Sequence, residues 1–374
     1  MKPLILHVVG ARPNFMKIAP VMRAVERAGF ADVALVHTGQ HYDAAMSDVF
    51  FTDLGMPRPD HFLGVGSGSH AEQTAKVMIE IEKVLLEKKP ALVVVAGDVN
   101  STMAAAIDCA KLRIPCAHVE SGLRSHDWAM PEEVNRVVTD RLCEILLTPS
   151  RDGDGNLLRE GTPKERIFFV GNTMIDSLLQ HLPRARATST LADLGLASRG
   201  YAVLTLHRPS NVDDPAVFAR LLDGIETVER ALPIVFPVHP RTRKQLETFG
   251  LGPRLAAMKG LRLVDPLGYL EFLALTSQAR LVLTDSGGIQ EETTALSVPC
   301  LTLRENTERP VTITEGTNVL CGTDPAVIRR EADRALATEI RDGRVPELWD
   351  GRASERIAEV FRVFLSDRGV LPRA

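Results

Sequence analysis

Short runs rich in Val, Ile and Leu alternate along the whole chain with longer amphipathic stretches, and no other feature restricts the fold as strongly. In the first half the runs fall at residues 4–9, 33–37, 92–96, 115–119, 145–148 and 167–170. In the second half they fall at 202–206, 234–238, 261–264, 281–284, 300–303 and 319–321. Runs that are apolar throughout predict strands covered on both faces, and the helical stretches between them predict crossovers. The expected fold class is therefore α/β, with two doubly wound parallel sheets. A chain of 374 residues exceeds one compact core and suits two domains. The seam is placed near Gly171-Asn172-Thr173, giving domains of 1–171 and 172–352. Ligands of such sheets sit beyond the carboxyl ends of the strands. Two sheets facing each other would then enclose one cleft.

Composition removes several function classes. The formal net charge of −4 provides no basic field, so nucleic acid is not an expected partner. Five cysteines form no CxxC pair and read as reduced core thiols, which predicts a cytosolic protein without a disulfide frame. The N-terminal apolar run is too short for a signal sequence, and no run approaches the roughly 18 apolar residues of a membrane span. The protein is expected to be soluble, cytoplasmic and free of membrane. No metal-ligand spacing is visible, and no catalytic metal is expected.

The motifs fall at strand ends. Gly10-Ala11-Arg12-Pro13-Asn14-Phe15-Met16-Lys17 follows the first run. Its glycine turn and the next helix start suit an anion, with Arg12 and Lys17 adding positive charge. Gly97-Asp98-Val99-Asn100 follows a fully apolar run, and Asp98 is a candidate either for capping the next helix or for proton transfer. His118-Val119-Glu120-Ser121-Gly122-Leu123-Arg124 places Glu120 at the end of another apolar run, a costly position for a carboxylate without a partner. In Met130-Pro131-Glu132-Glu133-Val134-Asn135-Arg136, Glu132 and Arg136 lie four apart on one helix face. They would make a surface ion pair, or Glu132 would join Asp98 and Glu120 in a carboxylate cluster suited to acid/base work.

In the second half, His207-Arg208 and His239-Pro240-Arg241 end successive runs and favour diphosphate contact. Thr284-Asp285-Ser286-Gly287-Gly288-Ile289-Gln290-Glu291-Glu292 is the most specific stretch. A strand enters a Ser-Gly-Gly turn that opens a helix, which makes a nest of N–H groups, with Glu292 placed for a diol. Arg309, in Thr307-Glu308-Arg309-Pro310, adds positive charge. Gly64-Val65-Gly66-Ser67-Gly68 follows no predicted strand and reads as a mobile loop, not a dinucleotide fingerprint.

Taken in order, the GxRP segment with its lysine and the GD, HVE-GLR, PEE-NR, HR, DSGG-QEE and TERP blocks resemble the non-hydrolysing UDP-N-acetylglucosamine 2-epimerases over nearly the whole chain. The resemblance implies the GT-B architecture, two Rossmann-like domains across a cleft, with a C-terminal helix in about 353–374 packing back on the first domain. It implies a homodimer without redox cofactor, supplying ManNAc-containing surface polysaccharide. It also implies the reaction: UDP leaves C1, the C2 proton is removed to give a 2-acetamidoglucal, and UDP adds back with protonation on the other face. By position, Asp98, Glu120 and Glu132 match the acid/base candidates of the family. Arg12, Lys17, Arg136 and His207 match its residues near diphosphate and sugar, and Ser286, Gly287, Gly288, Glu292 and Arg309 match its UDP-binding set.

The chain departs from the family pattern at Pro209-Ser210, at Val99, and at Gln40-His41-Tyr42-Asp43, where substrate-activated relatives carry a Gln-His-Arg type of segment. The Gly-Ala-Arg-Pro opening also resembles relatives that epimerise diacetamido-uronate sugars. The competing readings are a hydrolysing epimerase, a GT-B glycosyltransferase and a non-enzymatic nucleotide-sugar sensor.

Overall fold

The computed structural model describes residues 2–39, 58–338 and 345–372, so the Gln40–Asp43 segment lies outside the described residues. The chain divides into two compact units, 1–180 with 347–374, and 181–346.

The first unit is built on seven strands: β1 Leu4–Val9, β2 Asp32–His37, β3 His61–Phe62, β4 Leu92–Ala96, β5 Cys116–Val119, β6 Ile145–Thr148 and β7 Ile167–Phe169. Their spatial order is β3-β2-β1-β4-β5-β6-β7 and every pairing is parallel. The order reverses between β1 and β4, which makes their carboxyl ends the switch point of the sheet. Sequence runs foresaw all of these strands but β3, whose two residues carry too little pattern to read. Val93, Val94 and Val95 are all fully buried although they point to alternate faces. Helices therefore cover both sides, and each such side chain contributes about 1.5–3 kcal/mol on burial.

The predicted seam falls where the helix Thr173–Arg186 begins. Its Asp176 accepts the backbone N–H groups of Ala353 (3.1 Å) and Ser354 (2.7 Å), the first residues of the C-terminal helix Ala353–Asp367. This contact groups residues up to Gln180 with the first unit. Trp349 adds a second tie, its indole N–H donating to Pro149 O at 2.9 Å.

The second unit contains β8 Ala202–Thr205, β9 Ile234–Pro237, β10 Leu261–Val264, β11 Leu281–Thr284, β12 Cys300–Thr302 and β13 Asn318–Leu320. The order is β10-β9-β8-β11-β12-β13, again parallel throughout, with its switch point between β8 and β11. All five cysteines are buried and free. Among the described residues no helix is long and apolar enough to cross a membrane, and no group of His, Cys, Asp and Glu is arranged to hold a metal.

The Gly64–Gly68 segment is a loop that follows the short strand β3. Val65 and Gly66 donate to Thr38 O (2.9 Å) and Gly39 O (3.1 Å), so it runs against the end of β2.

Candidate active site

In the first unit the loops leaving β1, β4 and β5 meet at the switch point. After β1, the turn closes on the helix that follows it. Asn14 Oδ1 accepts from Gly10 N (3.2 Å) and Ala11 N (2.9 Å), which occupies those donors. Gly10 is needed for close approach, because a β-carbon there would lie 2.4 Å from Ser101 Oγ. Arg12 opens the helix Arg12–Ala28, and Lys17 lies a turn further on. The Lys17 ammonium is buried in an ion pair with Glu120.

Glu120 is itself unusual, with a φ of 71°. A non-glycine residue in this region costs about 1–2 kcal/mol and is held there by its surroundings. Here the N–H groups of Glu120 and Ser121 share Leu147 O, each at 3.1 Å.

The loop after β4 is gripped carbonyl by carbonyl. Ala96 O accepts Asn14 Nδ2 (2.7 Å) and Thr102 Oγ1 (2.8 Å). Gly97 O accepts His118 Nε2 (2.8 Å), and Asp98 O accepts Asn135 Nδ2 (2.8 Å). Gly97 has a φ of 66°, and a β-carbon on it would stand 2.8 Å from Lys17 Nζ and 3.4 Å from Glu120 Oε2. The Lys17–Glu120 pair thus lies directly against the residue preceding Asp98.

Asp98 does not cap the following helix, whose N-cap is Val99 with no side-chain bond. Its carboxylate instead takes Arg136 Nη2 at 2.5 Å. Arg136 also binds Glu133 Oε2 at 2.8 Å, a partner that neither alternative for Glu132 had named. Glu133 is on the buried side of the helix Pro131–Leu142, whereas Glu132 is only half-buried. Burial raises the Glu133 carboxyl, but the N–H groups of Ser125 and His126 and the Arg136 guanidinium together hold it below its ordinary value. The structure therefore brings Lys17, Asp98, Glu120 and Arg136 together as two cation–carboxylate pairs rather than a bare cluster of carboxylates.

Sequence reasoning did not find the layer beneath. Fully buried His118 sets Nδ1 2.6 Å from Asp140 Oδ1 and Nε2 against Gly97 O, so both ring nitrogens are placed to donate. Asp140 also accepts Arg124 Nη1 (2.7 Å) and Gly122 N (3.0 Å). Burial raises its carboxyl, but His118 and Arg124 pull it below its usual range. His118 stands in the quoted HVE block, yet no local pattern signals a partner 22 residues away.

In the second unit, Ser286 precedes the helix Gly287–Ala295 without a side-chain cap, which leaves the first-turn N–H groups for an anion. Glu292 is buried on that helix. Arg309 reaches the turn, with Nη1 2.7 Å from where a Gly287 β-carbon would stand. Its guanidinium pairs with Glu291 (2.9 Å) and Glu308 (2.9 Å). Buried Glu308 also gathers Arg304 (3.0 Å) and Arg208 (3.4 Å), so it draws three guanidinium groups towards one carboxylate. Across the switch point, His207 leaves β8 beside the His239 ring, with centroids 5.8 Å apart. Arg241, by contrast, is held by Asp213 through Nε at 3.0 Å near the surface. Ser286, Gly287, Gly288, Glu292 and Arg309 therefore share one helix start, and His207 flanks the same switch point. The Arg12 side chain is outside the described residues.

Paired carboxylates at the switch point of one doubly wound unit and an uncapped Ser-Gly-Gly helix start in the other suit a nucleotide-sugar enzyme of the GT-B class. Residues 23–362 match the family described as UDP-N-acetylglucosamine 2-epimerase. The UDP-N-acetylglucosamine 2-epimerase of Methanocaldococcus jannaschii is 43% identical over 361 residues, covering 95% of this chain and 97% of that protein. The crystal structure of the enzyme from that organism, in complex with UDP-GlcNAc and UDP, is similar with a TM-score of 0.89 and covers 96% of this chain and 99% of that one. A 41% identical relative from Pseudomonas aeruginosa, covering 95% of this chain and 98% of that protein, is a UDP-2,3-diacetamido-2,3-dideoxy-D-glucuronate 2-epimerase. The chain belongs to the UDP-N-acetylglucosamine 2-epimerase family, and it is an isomerase of the non-hydrolysing type.

Proposed function

We propose that the enzyme interconverts UDP-GlcNAc and UDP-ManNAc by elimination and re-addition of UDP, without metal or redox cofactor. The C2 hydrogen of a pyranose has no adjacent carbonyl and is barely acidic. Breaking the C1–O bond first gives C1 cationic character, and that acidifies the neighbouring C–H. The electron pair of the C2–H bond then forms the C1–C2 double bond, the proton passes to a carboxylate, and UDP and 2-acetamidoglucal remain bound. Re-addition of UDP at C1 with delivery of a proton to the opposite face of C2 completes the inversion.

The observation that carries this reading is the pairing of Asp98 with Arg136 and of Glu120 with Lys17 at one switch point. Each carboxylate stands at a strand end beside a cation, and such carboxylates are the groups available here to exchange a proton with substrate. Glu132 is the third candidate. In the second unit Ser286, Gly287, Gly288 and Arg309 take the diphosphate, Glu292 takes the ribose diol and His207 meets phosphate or sugar, a set to which the family resemblance adds Arg12 of the first unit. Five buried thiols fit a reducing cytoplasm. The homodimer implied by the family resemblance completes the reading.

A second substrate, a diacetamido-uronate UDP-sugar, is favoured by the Pseudomonas aeruginosa relative. The test runs each UDP-sugar separately in heavy water with no added cofactor. UDP-GlcNAc is expected to yield UDP-ManNAc, with deuterium at C2 of both epimers. Exchange confined to the uronate would transfer the assignment to that sugar. Accumulation of UDP with free sugar, or dependence on an acceptor, would defeat the proposal.

A further inference from the structure

Asp285 ends β11 just as His207 leaves β8, on opposite sides of the switch point of the second sheet. The carboxylate is fully buried, whereas the His207 side chain is 38% exposed. Asp285 Oδ1 lies 2.8 Å from His207 Nδ1. The same carboxylate accepts His207 N (3.0 Å), Arg208 N (2.9 Å) and Asn211 Nδ2 (3.2 Å). Burial raises its carboxyl, but His207 and these backbone N–H groups outweigh burial and hold it below the ordinary range. An ionised carboxylate has only acceptors to offer, so the His207 nitrogen facing it carries a hydrogen. In the neutral ring the remaining nitrogen, Nε2, then holds the lone pair.

We infer that Asp285 is a positioning residue that fixes His207 as the Nδ1–H tautomer and presents Nε2 outward to the departing diphosphate. This rests on the reading that His207 faces the nucleotide. When the ring is protonated, Nε2–H donates to a diphosphate oxygen as charge builds there. Asp285 offsets the positive charge of the ring and itself neither gains nor loses a proton.

A plain alternative is that Asp285 only anchors the backbone of 207–211, and a double-mutant cycle separates the two. Asp285→Asn and His207→Gln are each expected to lower kcat about 100-fold or more. If Asp285 acts through His207, the double variant falls no more than about tenfold below either single one. Equal losses from Asp285→Asn on both backgrounds would overturn the inference while leaving the role of His207 intact. Normal kcat in His207→Gln would remove His207 from the reaction and the inference with it. Nitrogen-15 imidazole spectra of the unmodified enzyme supply a readout that does not depend on how well Asp285→Asn folds. Nδ1 is expected to be the protonated nitrogen of the neutral ring, and a dominant Nε2–H form would refute the assignment.

Discussion

Glu120 combines three features that seldom coincide: a left-handed backbone, a buried carboxylate and a buried lysine partner. Replacing it with glutamine keeps the shape and removes the charge. Glu120→Gln is therefore expected to lower kcat about 100-fold or more, while UDP affinity by calorimetry changes little. Near-normal turnover would exclude Glu120 from proton transfer. At this scale the sequence was informative about position and weaker about partners. An apolar run ending in a carboxylate marks Glu120 and Asp98 as residues with a purpose. The pairing of Arg136 was left open because helical spacing allows Glu132 and Glu133 alike, and only tertiary burial selects Glu133. His118, Asp140, Glu308 and Asp285 act through contacts set by topology, and no local pattern marks such contacts.

The C-terminal helix shows how an element depends on a distant residue. Ala353–Asp367 has no side-chain cap of its own at Arg352, and Asp176 supplies one from another helix 177 residues away. The helix itself is expected from the family resemblance, but its cap is not. Asp176→Ala strands two N–H groups and is expected to cost about 1–2 kcal/mol. The loss would be seen as a lower urea midpoint and faster proteolysis within 353–367; an unchanged midpoint would mean that solvent replaces the cap. The strands follow a similar rule. Long apolar runs were legible, whereas β3 is defined by the neighbour it pairs with rather than by its own two residues.

For the molecule as a whole, two buried histidines contribute to the loss of stability in acid, against the opposing effect of Asp108, which burial raises to about 6. Burial lowers His7 and His37 from 6.5 to about 4, and His37 Nδ1 accepts Gly39 N at 2.7 Å, as a neutral ring must. Between those values the unfolded chain binds more protons than the folded one. Their contribution to stability is thus complete above about pH 6.5 and is lost as pH falls towards 4. Urea midpoints are expected to be level near neutrality and to decline across that window, less steeply in His7→Leu. Parallel curves for the two proteins would contradict this. The doubly wound plan itself was visible in the spacing of apolar runs, because burial on both faces leaves a strand few polar positions. With Ala96, Gly97 and Asp98 each fastened by its own oxygen, this loop is a bench that has no adjustment screws. If the proposed site holds, a shift in which sugar the enzyme prefers is expected to arise in residues outside that loop.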